Sequence, residues 1–213
     1  MIVKILSICL ISICLFSSCK GQLPCVKIGM VNWTTENLDL NHFNNGDEIL
    51  QAKTAVEWEQ ADKEKKPAWC YYEFGLNPYG LGRFYNWYAV KDPRGLAPKG
   101  YHIPTRREFE YLIKEVGGQE QGYKLKAKTG WETLEGSPAN GTDFFAFDAK
   151  PSGLVALELG KMEFLDSKHT AYWWTSTPGD STKVLCFRID QFAAFITDED
   201  PGVGMPVRLV KDF

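Results

Sequence analysis

The chain has 213 residues, 24 basic and 27 acidic, with a formal net charge of −3. No basic cluster occurs, which excludes the positive footprint that nucleic-acid binding requires. The one long apolar run lies at the N-terminus and is too short to cross a bilayer as a helix, which takes roughly 20 residues.

That run has the order of an export signal. Lys4 supplies the positive region, and Ile5 to Phe16 is an apolar segment of signal-peptide length. It ends in Leu15-Phe16-Ser17-Ser18-Cys19. Small residues before a cysteine resemble the lipobox of bacterial lipoproteins, with Phe16 bulkier than the strict pattern. No Ala-x-Ala-like site of an ordinary secretory signal follows. Residues 1–18 are therefore read as a signal peptide, Cys19 as the lipid attachment site and 19–25 as a lipidated tether. Residues 26–213 form a single domain, a length that one core can serve. The expected location is the bacterial cell envelope, at the outer membrane, held through the lipid at Cys19. With Cys19 acylated, Cys25, Cys70 and Cys186 allow at most one disulfide, and the pairing is open.

Val26 to Trp33 has β character and opens the domain. Thr54-Ala55-Val56-Glu57 is a capping box, predicting a helix over about 55–65 that stops before Pro67. Gly82 to Val90 is strongly aromatic and fits helix or strand. Thr105-Arg106-Arg107-Glu108 is a second capping box. Phe109, Leu112, Ile113 and Val116 follow at helical spacing, and Gly117 ends the helix. Short β-rich runs come next: 144–147, 154–157, 172–175, 184–189, 193–197 and 206–210. Helices early and short strands late predict an α+β fold.

Seven segments in order carry a resemblance. They are Asn32–Leu38, Trp69–Tyr72, Gly82–Ala89, Pro98–Thr105, Asn140–Asp143, Ala171–Thr177 and Pro206–Val210. Together they resemble the Fibrobacter succinogenes major paralogous domain, found in secreted and surface proteins of Bacteroidetes. Lys99-Gly100-Tyr101 stands where that family often has Gly-Trp. The family is similar in turn to the formylglycine-generating-enzyme branch of the C-type-lectin-like fold. The resemblance implies a sulfatase-modifying-factor-like α+β domain with two or three helices, a small antiparallel sheet and long loops. It implies no established activity.

The chemistry of such relatives sets what to look for. A copper oxidase of the formylglycine-generating type needs paired cysteines near the C-terminus, where only Cys186 lies. Iron sulfoxide synthases need three histidines, and His42, His102 and His169 are scattered. His102, before Ile103-Pro104, is read as a packing or capping residue. The Glu-Pro-Asn and Trp-Asn-Asp triplets of calcium lectins are absent. Asp198-Glu199-Asp200 could offer calcium oxygens but reads better as a solvated turn. No catalytic residue, metal or cofactor is therefore expected. Trp173 and Trp174 are the candidate ligand-binding residues: adjacent in a strand, they point to opposite sides, so one belongs to the core and one can be exposed to grip a sugar or a protein. The competing reading buries both. The expected function is a non-catalytic binding module for a glycan or a surface protein. The alternatives are an enzyme of the formylglycine-generating superfamily and a structural envelope lipoprotein without a discrete ligand.

Overall fold

The computed structural model describes residues 22–75, 77, 80–133, 139–180 and 182–213. Residues 1–18, read above as a signal peptide, and Cys19 lie outside the described residues.

The opening run folds as a hairpin, β1 (Cys25–Ile28) and β2 (Val31–Thr34), turning at Gly29. A short strand β3 (Leu50–Gln51) leads to helix α1 (Ala55–Lys63). Thr54 Oγ1 accepts from Glu57 N at 3.2 Å, the first half of the expected box. The Glu57 carboxylate accepts from Lys53 N at 2.6 Å instead of the Thr54 amide, so the return bond falls one residue early. Strand β4 (Ala68–Cys70) follows, then β5 (Phe84–Tyr85) and the single-turn helix α2 (Trp87–Val90). The ambiguous aromatic segment is thus strand and helix in succession. Asn86 separates them: its Oδ1 caps Ala89 N at 3.1 Å and also accepts from Ala68 N at 3.0 Å.

Strand β6 (Tyr101–His102) precedes helix α3 (Arg106–Glu115). Here the capping box is complete, with Glu108 N donating to Thr105 Oγ1 and Thr105 N to Glu108 Oε2. At the far end Gly118 N donates to Ile113 O and Gly117 N to Lys114 O, the paired bonds of a Schellman motif, with Gly117 at φ +105°. Phe109, Leu112 and Val116 are buried, and Ile113 is half-buried against them. Thr105→Ala is expected to cost about 0.5–2 kcal/mol in a urea titration. Thr54→Ala, whose box is incomplete and exposed, should cost less; the reverse order would sink the assignment.

The later strands are β7 (Leu154–Glu158), β8 (Lys161–Leu165), β9 (Ala171–Pro178), β10 (Val184–Ile189), β11 (Ala194–Glu199) and β12 (Val210–Lys211). Strands β7, β9, β10 and β11 match β-rich runs, β8 falls outside them, and two of the runs need correction. Phe144–Phe147 is a turn, not a strand. Asp143, Ala146 and Asp148 have positive φ there, and Asp143 Oδ1 accepts from Asp148 N at 2.8 Å. Residues 206–209 run extended outside any strand, bonding to the chain near Thr34 and Leu38 before β12 begins.

The fold is α+β, with few helices and several small sheets in place of one: β1-β2-β12-β6, β11-β10-β9, β3-β4-β5 and β7-β8. All pairings are antiparallel except β3 with β4. The first and last strands of the described residues share the first sheet, where Val210 pairs with both Trp33 and His102. Strand β9 is the partition of the core. Its Trp173 side packs with α3, Trp33, Phe147 and Phe187; its Trp174 side packs with Trp69, Tyr85, Met205 and Val207. A third cluster, around Trp58, Cys70, Phe84 and Val155, lies under α1 and the β7–β8 hairpin.

Candidate functional site

The two tryptophans singled out in the sequence do point to opposite sides, but both sides are core. Trp173 and Trp174 have no exposed surface. Trp173 Nε1 donates to Asn37 Oδ1 at 2.8 Å, and Trp174 Nε1 to the Tyr85 carbonyl at 2.7 Å. Neither can stack on a ligand. The expectation of an exposed Trp fails because β9 carries a hydrophobic cluster on each face, not one covered and one solvated face.

The other candidates also stay apart. Cys70 and Cys186 are buried free thiols, both pushed up by burial, and Cys25 is an exposed free thiol. His42 contacts Asn41 on the surface. His102 is held between two carboxylates, with Nδ1 2.7 Å from Asp212 Oδ1 and Nε2 2.7 Å from Glu108 Oε1. Among the described residues, no group of three or more His, Cys, Asp and Glu is arranged to hold a metal ion. Asp200 pairs with Lys183 at 2.9 Å.

His102 joins the α3 cap to the chain end. Burial works against its charge, but the bonds to Asp212 and Glu108 outweigh this and leave its pKa above the ordinary value. A raised folded-state pKa means stability that is full below about 6.5, the free histidine value, and is lost as pH rises through the folded value. Urea midpoints measured from pH 6 to 9 should show that decline in the wild type and a flatter profile in His102→Gln. Parallel profiles would remove His102 from the account.

Two clefts among the described residues are large enough for a ligand. The first has a volume of about 500 Å³, within the range of small-molecule sites. Its aromatic walls are Tyr72 and Trp131, and Ser167, Lys168, Lys150 and Glu132 supply polar groups. Local chemistry fixes each wall. Trp131 is tied by its amide to Asn140 Oδ1 at 3.1 Å and by Nε1 to the Ala149 carbonyl at 3.0 Å. Tyr72 packs on Phe84 and Phe164, and its hydroxyl meets Ser167 Oγ at 3.1 Å. The turn bearing Ser167 lies directly on Gly153, at φ +64°, where a Cβ would run into the Leu165 carbonyl. The charges are balanced: Lys168 pairs with Glu132 at 2.6 Å and Lys150 with Asp148 at 3.5 Å. Behind the wall stands Lys126, 2% exposed, its Nζ 4.0 Å from the Trp131 ring centroid. Sequence reading missed this site because Trp131 and Lys126 sit in irregular chain, where no period separates wall from core.

The second cleft, about 660 Å³, is acidic. Asp62, Glu158, Asp166, Glu199 and Asp200 line it, and no lysine or arginine does. Tyr172 donates to Asp166 at 2.7 Å and Tyr88 to Asp62 at 3.3 Å. Burial pushes both phenols up, Tyr88 to about 12, and likewise raises the Glu199 carboxyl.

Comparison with protein families gives a match to the Fibrobacter succinogenes major domain over residues 26–211. The chain belongs to that family. No curated protein and no solved structure matches it. The match begins at the first hairpin and ends in β12, so it spans the whole folded unit, both clefts included.

In this Fibrobacter succinogenes major domain the segments that carry the resemblance are mostly structural. Asn37, Trp173 and Arg208, from three of them, meet at one point: Arg208 Nε lies 3.0 Å from the same Asn37 Oδ1 that accepts from Trp173. Arg208 is fully buried, donates to the Thr34 and Phe147 carbonyls at 2.9 and 2.7 Å, and lies over the Phe147 and Trp173 rings. Two resembling segments reach the first cleft: Tyr72 forms one of its walls, and Asn140 holds the Trp131 amide.

Proposed function

We propose that this protein is a lipid-anchored, extracytoplasmic binding module whose first cleft takes a neutral saccharide. The observation that carries the reading is the composition of that cleft: aromatic walls, hydroxyl and amine donors at the rim, and charges already paired within the protein. Sugars present an apolar C–H face to aromatic rings and hydroxyls to polar groups, and they bring no charge to neutralise. An ionic ligand would have to displace two existing ion pairs. We also propose that the domain shares the C-type-lectin-like fold of the formylglycine-generating branch; its few helices, small and mostly antiparallel sheets and long connections support this.

The anchor part of the proposal rests on the signal segment ending at Cys19. Cys19→Ala is expected to abolish incorporation of labelled palmitate and to remove the mature form from the membrane fraction. Retention of label in that variant contradicts the anchor.

The cleft part is tested on a glycan array with the chain from residue 20 onward. Binding to neutral glycans is expected, weakened roughly 2- to 10-fold by Lys168→Ala or Lys150→Ala, the worth of one hydrogen bond. Binding that both substitutions leave untouched would move the site elsewhere. An array with no binding, alongside capture of a defined surface protein, would favour a protein ligand instead.

A further inference from the structure

Lys126 is an unusual lysine. Its side chain is 2% exposed, yet among the described residues Nζ makes no ion pair and no hydrogen bond, and it lies over the Trp131 ring. Buried lysines are rare unless paired. Its stem is clamped: Gly141 lies so close that a side chain there would strike the Lys126 Cβ and carbonyl, and Asp143 N donates to that carbonyl at 3.0 Å. The amine is thereby held over the Trp131 ring, 4.0 Å from its centroid. A cation over an indole face is held by the ring quadrupole, most strongly where water is excluded.

Resting on the reading of the first cleft as the ligand site, we propose that the Lys126 charge sets the position of its Trp131 wall, so that the cleft binds more tightly while Lys126 is protonated. The backbone at Trp131 is held by Asn140, and the indole itself has two constraints: the Nε1 hydrogen bond to the Ala149 carbonyl at its edge and the cation against its face. Removing the proton removes the one that acts on the face.

Burial pulls the Lys126 pKa down to about 8. Asp190, on the β10–β11 turn, is the one charge that pulls it the other way. Asp190 is itself engaged by the Phe192 and Ala193 amides and by Arg188. Among the described residues, Glu132 pairs with Lys168 and Asp148 with Lys150 near the wall, and His169 is near enough to act on Glu132. The switch is therefore a single proton on a single amine.

The test reads Trp131 directly and does not need a glycan. In the chain from residue 20 onward, the exchange protection of the Trp131 Nε1–H is measured by NMR between pH 6 and 9.5, with the resonance assigned by Trp131→Phe. Wild type is expected to lose protection, beyond ordinary base catalysis, with a midpoint near 8. Lys126→Met keeps the bulk of the stem and a favourable contact with the ring but carries no charge. It should show the lower protection at every pH. Identical profiles in the two proteins overturn the proposal. If a saccharide from the array binds, its affinity should fall by up to roughly 30-fold across the same midpoint, the range of a desolvated cation–π contact. A pH-independent affinity alongside a titrating indole would also overturn it. If no saccharide binds, the cleft's function fails while the indole profile still decides whether Lys126 holds the wall.

Discussion

Arg208→Met should lower stability by about 2–5 kcal/mol, and Arg208→Lys should recover little of the loss. Methionine fills the space and removes a buried charge, which by itself would help the fold. It cannot donate, however. The Thr34 and Phe147 carbonyls lose their charged donor, and each buried acceptor left without a partner costs about 1–3 kcal/mol. The stacking on Phe147 and Trp173 goes as well. Burial draws the Arg208 pKa down to about 10, so the guanidinium stays charged at neutral pH and its bonds are charge-assisted. Lysine carries one compact ammonium and cannot span two carbonyls and an amide oxygen that the planar fork reaches together. For a domain of this size the loss corresponds to a melting temperature lower by about 5–15 °C. A melting temperature within about a degree of wild type would show that Arg208 does not tie the Thr34–Asn37 and Phe147 segments together.

Trp173→Ala and Trp174→Ala should each cost about 3–5 kcal/mol, because each empties one side of the partition that β9 forms. Phe192→Ala, at a 75% exposed position, should change stability by less than about 0.5 kcal/mol. Trp173 and Arg208 share the Asn37 oxygen, so their double-mutant cycle should show coupling of about 0.5–3 kcal/mol. Trp174 and Arg208 share no partner and should be nearly additive. Wild-type stability in either tryptophan variant, with glycan binding lost, would return these residues to the ligand site.

Much of the fold can be read along the chain. Complete caps are local chemistry, so Thr105 and Glu108 mark α3 without help from the rest of the molecule. The run 184–189 is strand β10 to the residue, because its β-prone apolar stretch is bounded by Lys183 and the turn-forming Asp190. The failures have a common cause. Phe144 to Phe147 has strand composition, but the aspartates on either side bend the backbone into a turn. The Trp173–Trp174 pair has the look of an exposed platform, but exposure depends on what the other chain segments bring to each face. The same holds for the first cleft. Tyr72, Trp131 and Ser167 are far apart in sequence and meet only because Gly153 lets two backbones touch and Lys126 finds a ring instead of a carboxylate. No short-range signal encodes that meeting.

The most direct test of the central claim is chemical-shift mapping of the domain with a neutral glycan that binds on the array. The account predicts that the largest changes fall on Tyr72, Thr129 to Glu132, Lys150, Ser167 and Lys168, with the Trp131 indole among them. Changes centred on Tyr88, Asp166 and Glu199, or spread over surface away from both clefts, would contradict it.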